Sequence, residues 1–161
     1  MKIILSLLIL VLTSSPSLAQ ERGQITLEHN LYYRALVATL AARAKDSKYA
    51  SANDPLDRVI IQNDIQLNNG FPTRIGDIQI EYLGVGELRD RYRSLKRELA
   101  VFVMRPIANE NNRIVIGFAR YWFSATKRTN SFALEGGYRV VLRFDCSQND
   151  FVIESTTLWG I

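Results

Sequence analysis

The chain has 161 residues, 20 Lys+Arg against 16 Asp+Glu, a formal net charge of +4, one histidine and one cysteine. A zinc site built from thiolates and imidazoles is thereby excluded within one chain, and so are the small secreted scaffolds held together by intrachain disulfides. Twelve basic and six acidic residues fall between Gly86 and Asp145, so the basic charge is concentrated in the second half.

Met1 to Ala19 reads as a secretory signal peptide. Lys2 precedes an apolar run from Ile3 to Leu12 interrupted only by Ser6, and Ser17 and Ala19 supply the small-x-small pair before the cleavage point. The apolar run is shorter than the roughly 20 residues that a membrane-spanning helix needs. No cysteine follows it to carry a lipid, and no later stretch reaches transmembrane length. The expectation is a mature chain from Gln20, periplasmic or secreted, forming a single α+β domain over residues 20–161.

The periodicity predicts a first helix over Ile25–Lys45, with Thr26 as N-cap and Glu28 in the first turn, where the helix dipole favours a negative charge. Tyr33, Leu36, Val37, Leu40 and Ala44 make one broad apolar face, and Leu27, Leu31, Ala35, Ala38 and Ala42 a second. A helix apolar nearly all round is an enclosed helix. Ser47–Asp57 is a polar link containing Asp54-Pro55, Val59–Leu67 a short strand broken at Asn63-Asp64, and Asn68–Pro72 a turn. Asp77–Leu83 alternates as a strand with one wet face. A second helix follows over Gly86–Arg97, with Leu88, Tyr92, Leu95 and Leu99 on one stripe and Arg89, Arg93, Lys96 and Arg97 on a flank of the opposite face.

Four apolar, β-branched and aromatic runs complete the chain, at Glu98–Ile107, Arg113–Ser124, Phe132–Asp145 and Phe151–Trp159. They read as one antiparallel meander. The third alternates cleanly, Tyr138, Val140, Leu142 and Phe144 against Arg139, Val141, Arg143 and Asp145. The second is apolar on both faces, interrupted only by Arg120, and such a strand is covered on both sides. Gly117 in its middle marks a bulge or sharp bend.

Few residues carry chemistry. His29 projects along the larger helical face, as a base at a pocket mouth or as a locally hydrogen-bonded histidine. Arg120 among apolar neighbours must be paired, reach a rim, or hold an anion. Cys146, in the polar link Asp145–Asp150, is a free thiol or an interchain bridge, so a dimer is open. Gly84-Val85-Gly86 lacks the third glycine and the Lys-Ser/Thr of a phosphate loop, and Asp145, Asn149 and Asp150 lack the spacing and glycine of a calcium loop. No metal and no cofactor is expected. The basic flank at Arg89, Arg93 and Arg97 is a candidate interaction surface for an envelope protein or an acidic polymer; no nucleic-acid motif accompanies it.

The order helix, link, strand, helix and long antiparallel meander resembles the NTF2-like, cystatin-like α+β superfamily, and the ending Gly136–Leu142, Phe151-Val152-Ile153 and Trp159 looks like small exported bacterial proteins of unassigned role. The resemblance implies a curved antiparallel sheet of four to six strands wrapped as a cone around the N-terminal helix. It also implies a pocket in that cone for a small ligand, for which His29, Tyr33, Arg120 and Tyr121 are the candidate lining. The favoured reading is an exported, non-catalytic binding or accessory protein of the cell envelope. The alternative is a small isomerase or hydrolase using His29 or a buried carboxylate with Tyr33 or Tyr121.

Overall fold

A computed structural model describes residues 27–46, 54–63 and 70–160. The signal-peptide reading of Met1–Ala19, the N-cap reading of Thr26, Asn68-Asn69 of the turn and much of the polar link after Asp46 lie outside the described residues.

The first helix, α1, runs Leu31–Lys45 and begins later than its apolar pattern suggests. Asn30 is the reason: its Oδ1 accepts from the backbone N–H of Tyr32 at 3.0 Å and of Tyr33 at 3.2 Å, satisfying two donors that the first turn leaves open. Leu27–His29 before it is a single 3-10 turn. Ala35, Leu36, Thr39, Leu40 and Arg43 form its buried stripe, so Leu36 and Leu40 are enclosed as expected.

Among the described residues eight strands form one sheet: β1 Arg58–Gln62, β2 Arg74–Ile75, β3 Ile78–Leu83, β4 Leu99–Met104, β5 Ala108–Glu110, β6 Arg113–Ala125, β7 Asn130–Asp145 and β8 Asp150–Gly160. Their order is β2-β3-β1-β4-β6-β7-β8, with β5 beside β6. The expected meander is present, since β4, β6, β7 and β8 pair antiparallel in turn. The expected wholly antiparallel cone around one helix is not. β1 lies between β3 and β4 and is parallel to both, which a second helix makes possible. Parallel strands need a crossover, and α2, Val85–Leu95, carries the chain from β3 to β4.

The two helices lie on opposite faces of this mixed sheet. Ala35, Leu36 and Leu40 of α1 join Val59, Ile61, Ile80, Phe102, Met104, Ile116, Phe118, Tyr138, Val140 and Leu142 in the larger core. Leu88 of α2 joins Leu99, Val101 and Phe123, with Tyr92 against Phe123 edge-on at 6.3 Å. The doubly apolar β6 is thus covered on both faces, and burial of these side chains is the main stabilising term. The predicted stripe of the second helix ends early: Lys96 at φ 52° closes α2, so Leu95 is 41% exposed and Leu99 belongs to β4.

The irregularity expected at Gly117 sits elsewhere. Gly117 pairs regularly with Arg139, while the register shifts between Arg120 and Tyr121, which face Gly136 and Leu134 and leave Glu135 without a partner on β6. One extra residue inverts the alternation of β7. Phe132 therefore packs with Phe123 on the α2 side, whereas Tyr138, also even-numbered, packs on the α1 side. Gly136 and Gly137, both at φ 156°, make this possible. A Cβ on Gly137 would lie 2.2 Å from the Phe118 carbonyl oxygen, and one on Gly136 2.5 Å from that of Trp159.

Candidate functional site

The bulge places Glu135 where it completes a buried ionic network. Arg120, 7% exposed in its side chain, meets Asp54 Oδ2 at 2.8 Å and Glu135 Oε2 at 3.0 Å. Asp54 Oδ1 accepts from Arg43 Nη2 at 2.5 Å, and Arg43 also donates to the carbonyl oxygens of Pro55 at 2.7 Å and Leu56 at 3.2 Å. Two guanidiniums and two carboxylates balance, which is what burial demands of charges. Aromatic faces complete the setting, with Arg120 5.1 Å from the Trp122 ring and Arg43 6.0 Å from Phe102. Of the three fates open to Arg120, the structure shows the ion pair. The network fastens the segment Asp54–Leu56 to α1, β6 and β7.

That segment forms one wall of a shallow open groove lined by Asp54, Pro55, Arg58, Ile60, Arg91, Leu95, Arg97, Leu99 and Ala100. Arg58 comes from β1, Arg91 from α2 and Arg97 from the turn after it. Glu81, a carboxylate 15% exposed in its side chain, lies 2.5 Å from Arg91 and 3.5 Å from Arg58. With Asp54 committed to the buried network, three cations thus stand against one carboxylate over an apolar floor of Ile60, Leu95 and Leu99. A second trough, on the sheet beside β5, is different. There Arg113 is 2.5 Å from Glu154 and Arg139 2.5 Å from Glu110, so its charges cancel in pairs.

The residues named from sequence are not brought together. His29 is exposed on the 3-10 turn beside Asp150, whose carboxyl is held below the usual range by the Phe151 backbone N–H first, then by Arg34 and His29. Tyr33 is half-buried on α1. Arg120 faces the α1 side, whereas the Tyr121 hydroxyl accepts from Arg105 Nη2 at 2.9 Å and its ring packs edge-on to Phe132 on the other side. The space between α1 and the sheet, lined by Leu36, Thr39, Leu40, Val59, Phe102 and Phe118, has no room for a water molecule. The basic flank divides as well. Arg89 donates to Asn130 Oδ1 at 3.0 Å, Arg93 lies 3.8 Å from Asp90, and only Arg97 lines the groove. Sequence reasoning missed Arg58 and Arg91, which are distant in the chain and meet only through the β1–β3 pairing and the crossover. It also missed Arg43, although position 43 follows Leu36 by seven and Leu40 by three and so lies on the buried stripe.

Cys146 is exposed in the β7–β8 turn, which Asp145 closes by accepting from the Ser147 hydroxyl at 2.6 Å and its N–H at 2.9 Å. Among the described residues no cluster of three or more His, Cys, Asp or Glu side chains would hold a metal, and no helix is long and apolar enough to cross a membrane. No family model, curated protein or solved structure matches the chain.

One buried tyrosine, Tyr138, and one half-buried tyrosine, Tyr82, give this architecture an alkaline limit. Burial pushes Tyr138 up to about 12, with the Asp46 charge adding to it, and burial alone pushes Tyr82 to about 12. Their folded-state values lie above the unfolded value near 10, so their contribution is complete below about pH 10 and is lost as pH rises towards about 12. The thermal midpoint is expected to fall across that window. In a Tyr82→Phe, Tyr138→Phe double variant the fall should be shallower, and an unchanged slope would contradict the assignment.

Proposed function

We propose that the protein is an exported, non-catalytic binding module of the cell envelope that holds a segment of an acidic polymer in the groove between β1, α2 and the start of β4. The observation that carries this reading is the convergence of Arg58, Arg91 and Arg97, from three elements, on one apolar floor with Glu81 between them. Guanidinium forks suit carboxylate or phosphate groups. The groove is open, and small-molecule sites usually enclose most of their ligand, so an extended acidic chain lying across it fits better than an engulfed metabolite. Export rests on the pattern of Met1–Ala19. The isomerase or hydrolase alternative draws no support from the geometry, since His29, Tyr33, Arg120 and Tyr121 line no common cavity.

The test is the affinity of the mature protein for a fluorescent poly-glutamate, measured by anisotropy at low and high salt. Removing both charges in Arg91→Ala, Arg97→Ala is expected to weaken binding by about tenfold or more, equivalent to about 1.4 kcal/mol. Binding should also fall as salt rises, because the groove is open to solvent. Arg89→Ala, Arg93→Ala removes the same formal charge outside the groove and should change little. Equal losses in the two double variants would refute the groove and leave only a diffuse effect of net charge.

A further inference from the structure

We infer that two copies of this chain associate through the outer edge of β8, antiparallel, with Leu158 of each copy on the two-fold axis. β8 ends the strand order, so its outer backbone groups have no partner strand among the described residues, and at eleven residues it is far longer than β2, which ends the other side. Long edges are normally blunted by charge, proline or a bulge. The first part of β8 has two of these devices: Asp150 and Glu154 are acidic, and the register shift at Val141/Leu142 leaves Glu154 without a partner on β7. Ser155 to Gly160 has none, and it exposes Leu158 at 38% and Trp159 at 39%.

Charge, face and side-chain pairing together favour one register. A dyad perpendicular to the sheet makes an isologous contact and keeps each face on its own side, so within Ser155–Gly160 it must pass through a residue facing its own copy. At Thr156 it would set Glu154 against the partner's Leu158, and at Thr157 against the partner's Gly160. At Leu158 it sets leucine against leucine and Thr157 against the partner's Trp159, twice, an aromatic and β-branched pairing that favours strand association. Both acidic residues then lie beyond the paired stretch. Cys146 is remote from this contact, because Asp150 alone is about 26 Å from the axis at roughly 3.3 Å per residue. The dimer therefore does not depend on a disulfide. The acidic-polymer groove is on the β1–β4 side of the sheet, so this association and the proposed binding stand or fall separately.

Sedimentation velocity of the mature protein with reductant present, from about 1 μM to about 1 mM, is the test, spanning the range of weak to moderate affinity. A concentration-dependent dimer is expected. Leu158→Lys should weaken it by about tenfold or more with unchanged circular dichroism, whereas Phe144→Lys, a comparably exposed residue on β7, should leave it intact. Mixing Leu158→Lys with Leu158→Glu should restore association as a heterodimer, because position 158 faces position 158. A monomer throughout the range, a dimer indifferent to Leu158→Lys, equal loss in Phe144→Lys, or failure of the mixed variants to associate would each overturn the proposal. So would a dimer abolished by reductant, which would place the contact at Cys146.

Discussion

Asp54→Ala is expected to cost about 3–5 kcal/mol of unfolding free energy, the penalty for leaving buried charge without its counter-ion. Asp54 is 3% exposed and is shared by Arg43 and Arg120, which are 2% and 6% exposed. Removing the carboxylate therefore takes a counter-ion from both buried guanidiniums at once. Glu135 and the Pro55 and Leu56 carbonyl oxygens retain part of the compensation, which places the loss toward the lower end. Against a typical total of about 5–15 kcal/mol, it is still a large fraction. Denaturant unfolding followed by circular dichroism measures it. Because Asp54 anchors a groove wall, the same variant should also bind acidic ligand less well at temperatures where it remains folded. A change below about 1 kcal/mol would show that water reaches the network and that the arginines are solvated.

Gly137→Ala is the second large effect, about 2–6 kcal/mol. A Cβ there meets the Phe118 carbonyl oxygen at 2.2 Å and the Ala119 Cα at 2.9 Å, both backbone atoms of the neighbouring strand. No rotamer relieves that contact, so β6 and β7 must separate. Overpacking of this kind costs about 1–3 kcal/mol, and the φ of 156° adds a backbone strain of about 1–3 kcal/mol for any residue with a Cβ. Gly117→Ala is the comparison. A Cβ there meets Arg105 Cγ at 3.2 Å and Cβ at 3.4 Å, which need give only slightly, and no backbone atom closer than the Tyr138 carbonyl oxygen at 3.9 Å. The ratio of the two losses measures how rigidly the bulge is held, and equal losses would mean that the Gly136-Gly137 backbone is not constrained as described.

Much of this fold was legible in the residues because local pattern determined it. The alternation of β7 beyond Gly137, the double apolar face of β6 and the burial of Leu36 and Leu40 on α1 all follow from side-chain period, whereas that helix is not enclosed all round, since Ala41 and Ala44 are exposed. The parallel placement of β1 was not, since Val59, Ile60 and Ile61 in succession are compatible with either neighbour orientation and only the crossover through α2 decides. The bulge left a trace in Gly136-Gly137, but parity alone assigns Phe132 and Tyr138 to one face, and nothing local contradicts it. The cap at Asn30 is hidden in the sequence because the apolar pattern of α1 extends back through Leu27. The groove was least visible of all. Arg58, Arg91 and Arg97 are separated by strand pairings and a helix, so no spacing in the chain announces that they converge, and the flank at Arg89, Arg93 and Arg97 drew attention because it has helical spacing.

The binding account is tested most directly by a nuclear magnetic resonance titration of the mature protein with a short poly-glutamate, following backbone amide shifts. The groove predicts saturable changes clustered at Ile60, Arg91, Leu95, Arg97 and Leu99, with the β8 amides unmoved. Shifts spread evenly over the basic surface, or confined to Arg89 and Arg93, would contradict it.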